Sequence, residues 1–122
     1  MPDLVNQNAS FSLDLTYLLE VGNNNLAFVE KMLLHFKSDI PNLLEGLKSS
    51  IETNDAAEVK LLAHKAKSVA GYFSDLFLHS LMQEIEEDGA KNTLCEMTSL
   101  KFEKASLRFA NLRVGIESYL TQ

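Results

Sequence analysis

The sequence has one cysteine, Cys95, no tryptophan, two prolines and five glycines in 122 residues. A single cysteine excludes an intrachain disulfide and fits a reducing compartment. So little proline and glycine excludes a low-complexity or linker-like chain and leaves few points at which a helix must stop. Basic residues are also in deficit, 11 Lys and Arg against 17 Asp and Glu, for a net charge of −6. That balance repels phosphate backbones and anionic bilayers, so no nucleic-acid partner and no membrane partner are expected. The apolar runs are only a few residues long, far short of the roughly 20 that span a bilayer. The N-terminus lacks the basic-then-apolar pattern of a secretion signal, and a cytoplasmic location is expected.

What the chain does have is helical periodicity almost throughout. Hydrophobic residues make up 46%, enough to bury one core, and a single domain over residues 1–122 is expected. After an irregular start, Asp14 is placed to cap a short helix carrying Leu15, Leu18 and Leu19, which ends at Gly22. Asn23-Asn24-Asn25 offers caps for a second helix with Leu26, Val29, Leu33, Phe36, Ile40, Leu43 or Leu44, Leu47 and Ile51 at steps of three and four. Pro41 lies inside it, and a bend is expected there because the apolar register continues on both sides.

Thr53-Asn54-Asp55 signals the start of a third helix running to about Gly71. Ser74-Asp75 starts a fourth, with Leu78, Leu81, Met82 and Ile85 inward and an acidic end at Glu84, Glu86, Glu87 and Asp88, read as a solvated face. A last helix from about Asn92 to Leu120 carries Phe102, Ala105, Phe109, Leu112, Ile116 and Leu120, with Met97, Leu100, Leu107 and Val114 widening that stripe. No segment alternates with period two long enough for a strand. The fold class expected is all-α: an antiparallel four-helix bundle with a short extra N-terminal helix.

The third helix holds the chemistry. With about 100° per residue, Val59, Leu62, Ala63, Ala66, Val69, Ala70 and Phe73 form the core stripe, and His64 points directly away from it. Ala57, Lys60, Leu61, Lys67, Ser68 and Gly71 share the outward face. Singly, each is an ordinary surface residue, and a glycine near a helix end is usually a cap. Together they make a surface that another backbone can approach closely. A ring nitrogen projects from it, and Lys60 and Lys67 would offset the charge of a phosphoryl group.

The stretch Ala63-His64-Lys65-Ala66-Lys67-Ser68-Val69-Ala70-Gly71 resembles the A-H-x-L-K-G-x-A signature of histidine-containing phosphotransfer (HPt) domains. The likeness extends to Asp14–Leu18, to Phe36 followed by Asp39-Ile40-Pro41, to Asn54-Asp55 and to Ile85-Glu86. It implies a helical bundle whose exposed histidine carries a phosphoryl group between receiver-domain aspartates in a multistep phosphorelay. His64 would be the phosphorylated residue and Lys67 its electrostatic support. Lys60 joins them from helix geometry alone. Ala57, Leu61, Ser68 and Gly71 would meet the partner, which would dock on the second and third helices. The partners implied are response-regulator receiver domains and a hybrid sensor histidine kinase. No cofactor is expected for this chain, because the receiver would bring the Mg²⁺. Ser68 departs from the family's glycine, Ser74 stands where a second glycine often sits, and Ala66 replaces a leucine.

Nothing in the sequence equips the chain to draw phosphate from a nucleotide: there is no glycine-rich phosphate loop and no kinase motif, and no carboxylate cluster that would hold magnesium is expected beside His64. A carrier rather than an enzyme, and a monomer, is therefore expected. The alternative is a bundle of the same fold that binds receivers or kinases without being phosphorylated, to which Ser68 lends weight. A metal-centred bundle enzyme would need Glu three residues before His on two helices. Met32, Leu61 and Leu76 occupy the positions before His35, His64 and His79. His35 and His79 are expected to be packing or surface residues, and Phe28, Tyr72 and Phe73 core or turn-packing aromatics.

Overall fold

The computed structural model describes residues 13–122; the irregular start expected over 1–11 lies outside them. Among the described residues five helices follow one another: α1 (Thr16–Val21), α2 (Leu26–Glu52), α3 (Ala56–Tyr72), α4 (Leu76–Ala90) and α5 (Glu96–Leu120). α2 packs on α3, α3 on α4, α4 on α5, and α5 returns to α2, while α1 rests on α2. Short connections make consecutive helices antiparallel, so the four long helices close into a bundle with α1 as the extra N-terminal element. No helix among the described residues is long and apolar enough to cross a membrane.

The core is the stripe that periodicity marks on each helix. Val29, Leu33, Phe36, Ile40, Leu43 and Leu47 of α2 meet Val59, Ala63, Ala66, Val69 and Ala70 of α3, Leu78, Leu81, Met82 and Ile85 of α4, and Ala105, Phe109 and Ile116 of α5. α2 runs unbroken through Pro41. Phe36 joins an aromatic cluster with Tyr72 and Phe73, ring centroids 5.4 Å from each, and Phe28 is partly buried against the core.

Several expected core residues are not there. Leu26 is exposed, as are Met97, Leu100, Leu107 and Val114 on α5. One helix face in a four-helix ring touches two neighbours only, so the widened α5 stripe exceeds the arc that α2 and α4 cover.

Gly22 is the C-cap of α1, as expected, but the left-handed positions of the connections are held by asparagine and serine rather than glycine. Asn23, Asn24, Asn54, Ser74 and Asn92 all have positive φ, and no described glycine does. Asn54, Ser74 and Asn92 each follow a helix C-cap residue, the position where a left-handed residue turns the chain out of a helix. The helix starts are capped as the sequence indicates. Asn25 Oδ1 accepts from the backbone N–H of Ala27 and Phe28, Asp55 Oδ1 from Glu58, and Asp75 Oδ1 from Leu78. The start of α5 falls at Cys95 rather than Asn92: its backbone N–H donates to Thr98 Oγ1, which itself donates to Asp88 Oδ2 at 2.8 Å.

Gly71 and Gly89 are each the second-last residue of a helix, so α3 and α4 end about where these glycines indicate, but the caps are Phe73 and Lys91. Gly89 is where α4 crosses α3: a Cβ there would stand 2.7 Å from Lys60 N and 2.8 Å from Ala56 O. That backbone approach fixes the α3–α4 register, and the register sets the site.

Candidate functional site

His64 sits near the middle of α3 with its side chain 60% exposed. Ala63 and Ala66 beside it are fully buried, so the helix is anchored by small side chains and turns the imidazole to solvent. Ala57, Lys60, Leu61, Ser68 and Gly71 are exposed on the same helix, as the outward face requires. A Cβ added at Gly71 would meet nothing, leaving open space above the backbone.

The second wall of the site comes from α4. Oε2 of Glu86 lies 3.2 Å from His64 Nδ1, and Oε1 of the same carboxylate lies 2.8 Å from Lys67 Nζ. Lys67 Nζ also donates to Gln83 Oε1 at 2.7 Å, and Gln83 Nε2 donates to Glu87 Oε2 at 2.9 Å. The Lys67 and Glu86 side chains are only 18% and 17% exposed. Burial pushes the Glu86 carboxyl up, but hydrogen bonds and positive charge from Lys67 and His64 outweigh it and hold the group below the usual carboxylate range. It is therefore an anion at neutral pH.

This corrects one expectation: the acidic end of α4 is not merely a solvated face, because one of its carboxylates, that of Glu86, stands beside His64. Glu86 is committed to the histidine and the lysine, while Asp88 and Glu84 each approach Lys101 of α5 within 3.4 Å. Of the two lysines expected to flank the ring, Lys67 is thus paired with an anion. Lys60 makes no ion pair among the described residues, and its backbone is engaged with Gly89. The Ser68 hydroxyl donates back to the His64 carbonyl at 3.3 Å, so it lies along α3 rather than over the ring. His35 and His79 are surface residues, the His35 ring lying tilted beside Phe36 with centroids 5.7 Å apart.

Glu86 and Gln83 are the site residues that sequence reasoning passed over. The signal was the turn. His64 and Glu86 are 22 residues apart and Lys67 and Gln83 are 16 apart, and both pairs are centred on Asp75, the N-cap of α4. In an antiparallel helix pair, residues equidistant from the turn lie side by side.

The geometry places an exposed, charge-supported histidine on a helical bundle. The family model for the Hpt domain matches residues 31–106, from early α2 to the middle of α5. The chain belongs to the Hpt domain family. No curated protein and no solved structure matches it. Hpt domains are phosphocarriers in phosphorelays and interact with receiver domains and kinases, so the general role of this chain is phosphotransfer.

Proposed function

We propose that His64 accepts a phosphoryl group from a receiver-domain aspartate and passes it to the aspartate of another receiver. The observation that carries this is the pairing of His64 Nδ1 with Glu86. A carboxylate can only accept, so Nδ1 must hold the proton that points at it, and Nε2 keeps its lone pair. Nε2 is then the nucleophile on an exposed ring.

In the forward step the Nε2 lone pair attacks the phosphorus of the aspartyl phosphate. The N–P bond forms as the bond from phosphorus to the aspartate oxygen breaks, and the aspartate leaves as a carboxylate. The imidazole ring gains positive charge and keeps its Nδ1 proton, donated to Glu86, which offsets that charge. Lys67 offsets the negative charge on the phosphoryl oxygens. The reverse step follows the same path. Lys60, one turn before His64, adds a longer-range cation to the face on which the phosphoryl group sits.

The receiver docks on α2 and α3, where Leu61, half exposed, and Ala57 give it an apolar contact beside the ring. Gly71 leaves room for its backbone, and Ser68 borders the contact. A hybrid sensor kinase is the source of the phosphoryl group, and the chain works as a monomer in the cytoplasm. The test is labelling: purified protein is mixed with phosphorylated receiver domains, and transfer of label is followed over seconds. Label is expected on the intact protein and not on His64→Gln at equal helicity; label retained by His64→Gln would remove the reading.

A further inference from the structure

Lys67 is held from two sides, and only one of its partners belongs to the histidine. An ammonium has three N–H donors. One donates to Gln83 Oε1 at 2.7 Å, while Glu86 Oε1 stands 2.8 Å from the nitrogen as an ion-pair partner without a directed hydrogen bond, so one hydrogen bond and one charge set the place of the ammonium. Gln83 is suited to this place. Its amide oxygen accepts from Lys67, while its amide nitrogen donates to Glu87 Oε2 at 2.9 Å. The ammonium can only donate and the carboxylate can only accept, so the orientation of the amide is fixed by its two neighbours. A neutral amide anchors the lysine without adding a second negative charge where a phosphoryl group must arrive. Glu87 in turn braces Gln83 one helical turn further along α4.

We propose that Gln83 is a positioning residue for phosphotransfer: it takes the one directed hydrogen bond of Lys67, while Glu86 attracts the ammonium by charge, and so it turns the remaining donors toward the phosphoryl group on His64. This rests on the reading of His64 as the phosphoacceptor. When the phosphoryl group is attached, Lys67 is then held by its hydrogen bond to Gln83, by the charge of Glu86 and by a phosphoryl oxygen. Without Gln83 the ammonium keeps the attraction of Glu86 but is free to swing about it, and part of its stabilisation of the phosphoryl group is lost.

The experiment measures phosphorylation of the full chain by phosphoramidate, a small donor that needs no docking surface, in four proteins: wild type, Gln83→Met, Lys67→Met and the double variant. Methionine keeps the length of glutamine without its acceptor. Gln83→Met is expected to slow labelling of His64 by roughly threefold to tenfold, and to leave the rate unchanged when Lys67 is already methionine. A lysine-selective 1H–15N spectrum of the unphosphorylated protein supplies a second readout, in which the slowly exchanging Lys67 ammonium signal disappears in Gln83→Met. Equal rates for wild type and Gln83→Met, or the same slowing in the Lys67→Met background, would overturn the proposal while leaving His64 as the acceptor. A wild-type protein that takes no label at His64 would overturn the phosphoacceptor reading itself.

Discussion

His64 Nδ1 and Glu86 Oε2 stand 3.2 Å apart across the α3–α4 contact. The pairing divides the imidazole into two unlike nitrogens, one tied to a carboxylate and one open to a partner. A phosphoryl group placed on Nδ1 would meet the Glu86 anion at hydrogen-bond range, and like charges at that distance repel. The ring is therefore oriented for chemistry at Nε2.

Substitution of Glu86 separates its charge from its hydrogen bond. Glu86→Gln keeps an oxygen for Nδ1–H but gives up the anion, and Glu86→Ala gives up both and leaves Lys67 with Gln83 alone. Transfer from a phosphorylated receiver is expected to slow by about threefold to tenfold in Glu86→Gln and by more in Glu86→Ala. Rapid-quench kinetics checks the order, and equal rates in all three proteins would show that the carboxylate plays no part.

Acid should weaken the α3–α4 contact through the same residue. The folded Glu86 carboxyl is held below its ordinary value because Lys67 and His64 outweigh its burial. Its contribution to stability is then fully present above the ordinary range, about pH 4.5. It is lost as pH falls through the lower folded value. Urea unfolding of proteins with and without Glu86→Gln is expected to show a constant difference just above about pH 4.5 that shrinks toward about pH 3. A difference that grows on acidification contradicts the assignment.

Two glycines should respond in opposite directions. At Gly89 a Cβ would strike the backbone of Lys60 and Ala56, so Gly89→Ala is expected to destabilise by about 1–3 kcal/mol and to disturb the Glu86–His64 register. At Gly71 a Cβ meets nothing, so Gly71→Ala is expected to stabilise the helix by about 0.5–1 kcal/mol. The same added methyl narrows the face offered to a receiver, and slower receiver-dependent labelling with unchanged labelling by phosphoramidate would show it.

Ser74 carries φ 55° in the turn between α3 and α4. A side chain in the left-handed region costs about 1–2 kcal/mol, partly offset in glycine by its greater freedom when unfolded. Ser74→Gly is expected to raise stability by about 0.5–1 kcal/mol. Thermal unfolding checks it, and a lowered melting temperature would show that the serine contributes something the backbone geometry does not reveal.

How far the sequence discloses this site depends on how local each feature is. The outward direction of His64 follows from the burial of Ala63, Ala66, Val69 and Ala70 on its own helix, and needs nothing from elsewhere in the chain. Glu86 and Gln83 belong to a different helix, and whether they meet His64 and Lys67 depends on the α3–α4 register. Ser74, Asp75 and the bare Gly89 set that register, and an apolar periodicity does not register a missing side chain. The helix ends fall within a residue or two of where the sequence marks them, but which residues turn the chain out of the helices was less legible. Asparagine and serine hold the left-handed positions, while Gly71 and Gly89 serve an open surface and a close helix crossing. On α5, Leu107 and Val114 obey the helical period yet remain exposed, because periodicity marks a face without saying how wide an arc the neighbours cover.

The most direct test of the account is to identify the phosphorylated atom. Protein labelled by a phosphorylated receiver is examined by long-range 1H–15N NMR of the histidine rings, with His64→Gln as the control. The account predicts a single phosphorylated ring, that of His64, with the phosphoryl group on Nε2 and a proton on Nδ1. A phosphoryl group on Nδ1, or on His35 or His79, would contradict it.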